Sequence, residues 1–234
     1  MSPAIGVDIG GTKIAAGLVS ETGQILASDA EPTPDDSSRI PAIVADLVDR
    51  LARDHEPVGV GIGAAGFVGE DRSTVRFAPN IDWVSEPLGA HVRELVDLPV
   101  VVENDANAAA WGEFRFGAGE DTDDLLLITV GTGIGGGIVH QGQLFRGGFG
   151  VAAEIGHMRI VPDGILCGCG QHGCYEQYGS GSALVREARA RLASEDPGAA
   201  ALAALAAGDP EQITGPAVTQ LREGRRPAGD RAAR

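Results

Sequence analysis

Lysine is almost missing from this chain: Lys13 is the only one among 234 residues, beside 17 arginines. Acidic side chains outnumber basic ones 33 to 18, for a formal net charge of −15. Such a chain lacks the positive surface that phosphate neutralisation demands, so it argues against a nucleic-acid partner and for solubility. No apolar run is long enough to cross a bilayer. The first residues also lack the basic, apolar, small-residue order of a secretory leader. The expectation is a cytoplasmic protein with no membrane partner. Cysteine is scarce too. Cys167, Cys169 and Cys174 fall within eight residues, and an odd, tight cluster reads as a metal site rather than a disulfide framework. With 43% hydrophobic residues, there is enough apolar material for one large domain or two small ones with real cores.

Short apolar strands alternate with helical patterns, which argues an α/β class. Residues 4–9 read as a buried strand running into Gly10-Gly11, residues 13–19 as a second, and the turn signal Thr22-Gly23 lets 24–28 pair back. A Pro-rich link over 31–37 precedes Ile40, Ile43, Val44, Leu47, Val48 and Leu51 at helical spacing. Residues 58–63 and 99–102 are strand-like, 88–96 is a candidate helix, and a further helix starts near Asp105. The pattern restarts with apolar strands at 125–130 and 134–140. Two halves that each open on a glycine-turned hairpin suggest two similar lobes, at 1–115 and 116–219. The tail from 220 to 234 differs in kind. Arg222, Arg225, Arg226, Arg231 and Arg234 crowd it without apolar periodicity. It reads either as an ordinary disordered end or as a stretch where translation has left its frame, with truncation of the second lobe.

Two glycine turns carry the first chemical signal. In Asp8-Ile-Gly10-Gly11-Thr12-Lys13 the glycines let backbone N–H groups approach an anion, Thr12 adds a hydroxyl and Lys13 a charge. Asp8 at the strand end suits a water-mediated Mg²⁺. A plain hairpin would explain Gly-Gly equally well. Gly131-Thr132-Gly133-Ile-Gly-Gly-Gly137 spends five glycines in seven residues, which weakens a strand unless something must approach its backbone closely. Neither is a P-loop, and neither is a dinucleotide fingerprint that opens a helix.

Glu103-Asn104-Asp105-Ala-Asn107 joins a strand to a helix. Asp105 reads either as a helix cap or as the carboxylate that accepts a hydroxyl proton during phosphoryl transfer. Asn104 offers a paired donor and acceptor, which is what a sugar hydroxyl needs. Glu154, His157 and Glu176 could fix a ring of hydroxyls by charge-assisted hydrogen bonds, or could line a solvated turn. Asn80 is a weaker candidate on spacing alone. Cys167-Gly-Cys169-Gly-Gln-His-Gly-Cys174 offers three thiolates for tetrahedral Zn²⁺, with His157 or His172 as the fourth ligand. His172 lies inside the cysteine span, where a short loop would have to fold on itself, which favours His157. Four protein ligands would make the metal structural, pinning a loop that carries Glu154 and Glu176.

Taken in this order, the motifs resemble the ROK family (repressors, open reading frames, kinases) of the actin-like, ribonuclease H-like sugar kinase superfamily. The resemblance covers roughly residues 4–219 and implies a two-lobed fold whose second lobe is incomplete here. It implies Asp105 as catalytic base, Asn80, Asn104, Asp105, Glu154, His157 and Glu176 as sugar ligands, and His157 with the three cysteines as the zinc site. It assigns Asp8, Gly10, Gly11, Thr12, Lys13, Gly131, Thr132 and Gly133 to the nucleotide phosphates. The pattern is most similar to actinobacterial glucokinases, which implies ATP, Mg²⁺, structural zinc, D-glucose, a place in glycolysis and a homodimer or homotetramer when full length. The family also includes kinases for N-acetylmannosamine, N-acetylglucosamine, fructose or allose, and sugar-responsive transcriptional regulators. The regulators add an N-terminal helix-turn-helix, for which a phosphate loop at residue 8 leaves no room. Family members run well past residue 234, so the expectation for this chain is poor stability or inactivity.

Overall fold

The computed structural model describes residues 2–78, 80–194, 199–207 and 209–224. The chain forms two compact units, one built from Met1–Ile128 with Gly135–Glu154 and the other from Thr129–Ile134 with Ile155–Arg234. This division differs from the expected boundary at 115/116. The chain leaves the first unit within a strand, re-enters it along the next one, and crosses over for good only after Glu154.

The first unit is organised on a five-stranded mixed sheet. Strands β1 (Ala4–Ile9), β2 (Lys13–Val19), β3 (Ile25–Pro32), β4 (Val60–Ala64) and β8 (Val100–Asn104) lie in the order β3-β2-β1-β4-β8. β1, β2 and β3 form an antiparallel meander, while β1-β4-β8 run parallel. β3 reaches Pro32, so the expected link begins later than its Pro-rich composition suggests. Alternation decides the faces. Ile5, Val7 and Ile9 point into the core, while Gly6 and Asp8 point the other way. Helix α1 (Ile40–Ala52) lays Ile40, Val44, Leu47, Val48 and Leu51 on the apolar face, as their spacing predicts. Strands β5 (Phe67–Val68), β6 (Val75–Ala78) and β7 (Trp83–Glu86) form a small antiparallel sheet that the sequence does not announce. Helix α2 (Leu88–Arg93) stops short of the expected residue 96. Leu95 and Val96 both donate to the Val92 carbonyl, which closes the end as a turn.

Helix α3 (Asp105–Phe116) lies over the opposite face. Gly63 allows this approach, because a Cβ there would sit 3.7 Å from Asp105 Cα and 3.8 Å from Ala108 Cβ. Strands β9 (Leu125–Val130), β10 (Ile134–His140) and β11 (Gln143–Leu144) make a third sheet in the order β11-β10-β9. Leu126, Ile128 and Val130 on one face of β9 are exposed.

The second unit contains helices α4 (Glu176–Gly179), α5 (Gly181–Ala193), α6 (Ala200–Ala206) and α7 (Gly215–Gly224). Ile213, Ala188 and Ala206 form its small core, with Leu192, Leu202 and Val218 packed against them. α7 continues to Gly224, so the expected aberrant tail is helical over its first five residues; its remainder, 225–234, lies outside the described residues. No helix among the described residues is long and apolar enough to cross a membrane.

Candidate active site and metal centre

Within the first unit, strand register brings the candidate chemistry to one edge of the sheet. Ile9 pairs with Ala64, and Ala64 with Asn104, so the carboxyl ends of β1, β4 and β8 finish level. Crevices at such ends are where α/β sheets receive ligands. The turn Gly10–Lys13 leaves from β1 and closes by Gly10 N donating to Lys13 O at 3.0 Å. Thr33, just past β3, braces this turn: its Oγ1 donates to Gly10 O at 2.7 Å and its N to Thr12 O at 3.1 Å. Asp8, Gly11, Thr12 and Lys13 are exposed, and a Cβ on Gly11 would come within 3.9 Å of Asn80 Cβ. Asn80 therefore lies beside the first glycine turn.

The structure separates the two readings of Asp105. The helix cap is Asn104, extended at φ −62°, ψ 142°, whose Oδ1 accepts Asn107 N at 3.0 Å. Asp105 is left with a different set of contacts. Its Oδ1 accepts Ala106 N at 2.9 Å and Asn104 Nδ2 at 3.1 Å, and the same Nδ2 donates to Gly66 O at 3.1 Å. Asn104 thus holds Asp105 as well as capping α3. The Asp105 side chain has access to solvent, but protein crowds its other sides. Desolvation by that burial is the main cause that raises its pKa above the ordinary carboxylate value, and the Asp8 charge adds to it. A carboxylate shifted upward in this way is better matched to taking a proton.

In the second unit, the turn Gly131–Gly133 is tied to the start of α5. Gly181 N donates to Gly131 O at 2.8 Å and Ser182 N to Thr132 O at 3.3 Å, while Ser180 Oγ caps the helix through Ala183 N. Thr33, Gly66 and Ser180 are supports that sequence reasoning does not single out. Ser180 has the one local signal, a hydroxyl ahead of an Ala-Leu-Val helical run.

The same unit assembles the metal donors. His157, Cys167, Cys169 and Cys174 each offer a ligand atom, and these atoms all lie within 4.8 Å of one another. Zinc bonds of about 2.3 Å to sulfur and about 2.0 Å to nitrogen imply tetrahedral edges of about 3.8 Å between sulfurs and about 3.5 Å from sulfur to nitrogen. Cys169 Sγ–Cys174 Sγ is 3.7 Å and Cys167 Sγ–His157 Nδ1 is 3.6 Å, so the donor set fits that ion. His172 faces elsewhere, with its Nδ1 2.9 Å from Gly164 O. Burial pushes the Cys167 thiol up to about 12 and also raises Cys174. Uptake of a metal here would therefore have to displace protons and would weaken as pH falls.

Glu176 links this knot to the glycine turn. Its Oε1 lies 3.3 Å from Cys167 Sγ, and its Oε2 accepts Ile134 N at 3.3 Å. Gly133 leaves room for that carboxylate, since a Cβ there would approach Oε2 to 2.6 Å. Gly156 is equally constrained, because a Cβ would collide with the Ile134 carbonyl. Gly156→Ala should therefore cost about 1–3 kcal/mol, as overpacking does. Urea denaturation would show this as a lower midpoint with unchanged slope, and a midpoint equal to the parent's would contradict it. Glu154 belongs to the first unit with Asn80, Asn104 and Asp105, whereas His157 and Glu176 belong to the second.

Residues 4–218 match the ROK family. The glucokinase of Streptomyces coelicolor A3(2) is 57% identical over 215 residues, which span 92% of this chain and 68% of that enzyme. The N-acetylmannosamine kinase of Yersinia pseudotuberculosis is 35% identical over 189 residues, 80% of this chain and 64% of its own length. Among solved structures, a ROK family glucokinase from Streptomyces griseus in complex with glucose and AMPPNP superposes with a TM-score of 0.86 at 53% identity, covering 97% of this chain and 72% of that one. The mixed sheet of the first unit thus belongs to a sugar kinase architecture of the actin-like type. With nearly every described residue inside the match, the chain belongs to the ROK family.

Proposed function

We propose that this protein is an ATP-dependent glucokinase that transfers the γ-phosphoryl group of ATP to the 6-hydroxyl of D-glucose. One observation carries the reading: Asp105 stands at the carboxyl edge of the sheet that also launches the Gly10–Lys13 turn, aimed by Asn104 and raised in pKa. As the glucose oxygen bonds to phosphorus and ADP departs, Asp105 takes the hydroxyl proton. The backbone of Gly10, Gly11 and Thr12, with Lys13, attracts phosphate oxygens in the first unit, and Gly131, Thr132 and Gly133 do so in the second. Asn80, Asn104, Glu154, His157 and Glu176 are the hydroxyl-binding side chains in this reading. Asp8, exposed where β1 ends, is the residue to hold Mg²⁺ through water; that ion, bound with ATP, spreads the phosphate charge. His157, Cys167, Cys169 and Cys174 would hold zinc with no open position, so they brace the fold and take no chemical step. A cytoplasmic place in glycolysis goes with this reading, because unpaired thiols persist in reducing compartments.

A hexose panel tests the substrate. Glucose should exceed N-acetylmannosamine in kcat/KM by about a hundredfold, the scale on which a pocket discriminates a misfitting group. A preference for N-acetylmannosamine would transfer the assignment to that sugar. The acid limb of the glucose profile should lie above the ordinary carboxylate value of about 3.9, because Asp105 must be deprotonated to act and its pKa is raised.

A further inference from the structure

Glu103 is the only buried acidic side chain among the described residues. It stands one residue before Asn104 and is fully engaged. Its Oε1 accepts Asn104 N at 3.1 Å and Asn107 Nδ2 at 3.2 Å. Its Oε2 receives Arg146 Nε at 2.6 Å, with Arg72 Nε at 3.8 Å. One carboxylate therefore grips the strand-to-helix corner that presents Asp105 and ties it to the loop that starts at Arg146. That loop needs tethering. Gly147, Gly150 and Ala153 all have positive φ, at 68°, 83° and 63°, and Ala152 N closes back on Arg146 O at 3.1 Å. Gly150 is pressed so close to the chain after β5 that a Cβ would lie 2.7 Å from Val68 O and 2.9 Å from Glu70 N. The loop ends at Glu154, one of the hydroxyl-binding candidates.

With Glu103 buried and the arginines partly exposed, these ion pairs add little to stability themselves, while they join two segments far apart in the chain. We propose that Glu103 and Arg146 are positioning residues for phosphoryl transfer, a clamp that holds the Asp105 corner and the 146–154 loop in one mutual arrangement. The proposal rests on the glucokinase reading and extends it to residues that touch neither substrate.

The test compares E103Q, R146A, R146K and the double variant E103Q/R146A with the parent and with D105N, all made in a chain extended to the length of the ROK glucokinases. E103Q keeps an acceptor for Asn104 N and Asn107 but removes the charge that pairs both arginines. Assayed well below the melting temperature, E103Q and R146A should each lose about tenfold or more in kcat, because small misplacements of a reacting group have effects of that size. KM for glucose should move less than kcat. R146K should recover part of the loss, and the double variant should be no worse than either single one. Hydrogen exchange provides a readout that needs no turnover: E103Q should speed exchange over 146–152 and R146A over 104–107, with β1 and β4 unchanged. Unchanged kcat in E103Q and R146A beside an inactive D105N would overturn the clamp and leave the kinase reading standing, as would a lowered melting temperature with normal kcat. Exchange at 146–152 that ignores E103Q would also overturn it. No glucose phosphorylation by the parent would remove the kinase reading instead, and turnover in D105N equal to the parent's would remove only Asp105 as the base.

Discussion

Asp105→Asn should remove glucose phosphorylation while raising the melting temperature. The two effects have one cause. Burial and the nearby Asp8 charge disfavour the ionised form of Asp105, which is the form a proton acceptor needs. Asparagine keeps the shape and an oxygen that can accept from Ala106 N and Asn104 Nδ2, but it cannot take a proton. Loss of a general base costs about 10²- to 10⁴-fold in rate, so kcat should fall by that range with glucose affinity, read by calorimetry, nearly unchanged. For stability, a folded pKa above the unfolded one means that ionisation penalises the fold. The penalty is present above the folded pKa and disappears as pH drops below the unfolded value of about 3.9. The variant should therefore melt higher than the parent at neutral pH, and the gap should shrink on acidification. A lower melting temperature at neutral pH would make the Asp105 carboxylate a structural anchor, and retained turnover would end its assignment as the base.

Cys174→Ser should release the metal and unfold the knot around it. Cys174 is fully buried, and the residue before it, Gly173, sits at φ 78° where a Cβ would collide with the Val161 carbonyl. Backbone this tight over 161–174 encloses little apolar material, with Val161, Ile165 and Leu166 exposed, so on the proposed zinc reading metal bonds would supply its stability. In small zinc domains such bonds contribute on the order of 10 kcal/mol or more to folding. Even a loss of about 4 kcal/mol would lower the melting temperature by about 10 °C in a chain of this size. Elemental analysis should find close to one zinc per parent chain and little in Cys174→Ser, and the variant and the chelator-stripped parent should melt together, below the zinc-loaded parent. His172→Ala should keep its zinc, because His172 faces the Gly164 carbonyl instead. A fully loaded Cys174→Ser chain would dismiss the tetrahedral set, and zinc loss in His172→Ala would reassign the fourth ligand.

How far the sequence could be read depended on the range over which each feature is encoded. Helix α1 was legible because Ile40, Val44, Leu47, Val48 and Leu51 repeat at helical spacing, and β1 and β2 because short apolar runs end on glycines. The small sheet β5-β6-β7 was not, because its strands are two to four residues long and carry no periodic signal. The start of the tail was legible only as a change of composition at about residue 220, which does not mark the end of α7: the helix, packed through Val218 against Ile213, carries on to Gly224.

The amino-acid sequence by itself determined the chemistry available to this protein: two glycine turns, one Asp at a strand-to-helix junction and three cysteines close enough in the chain to share a centre. Each of those depends on residue type and near-neighbour spacing, and local physics suffices for it. Only the tertiary structure decided that Asn104 caps α3 and so leaves Asp105 available, and that Arg146 reaches across 43 positions to Glu103. Those outcomes turn on strand register and loop packing, which bring distant residues within a few ångströms and leave no trace in the order of neighbouring letters.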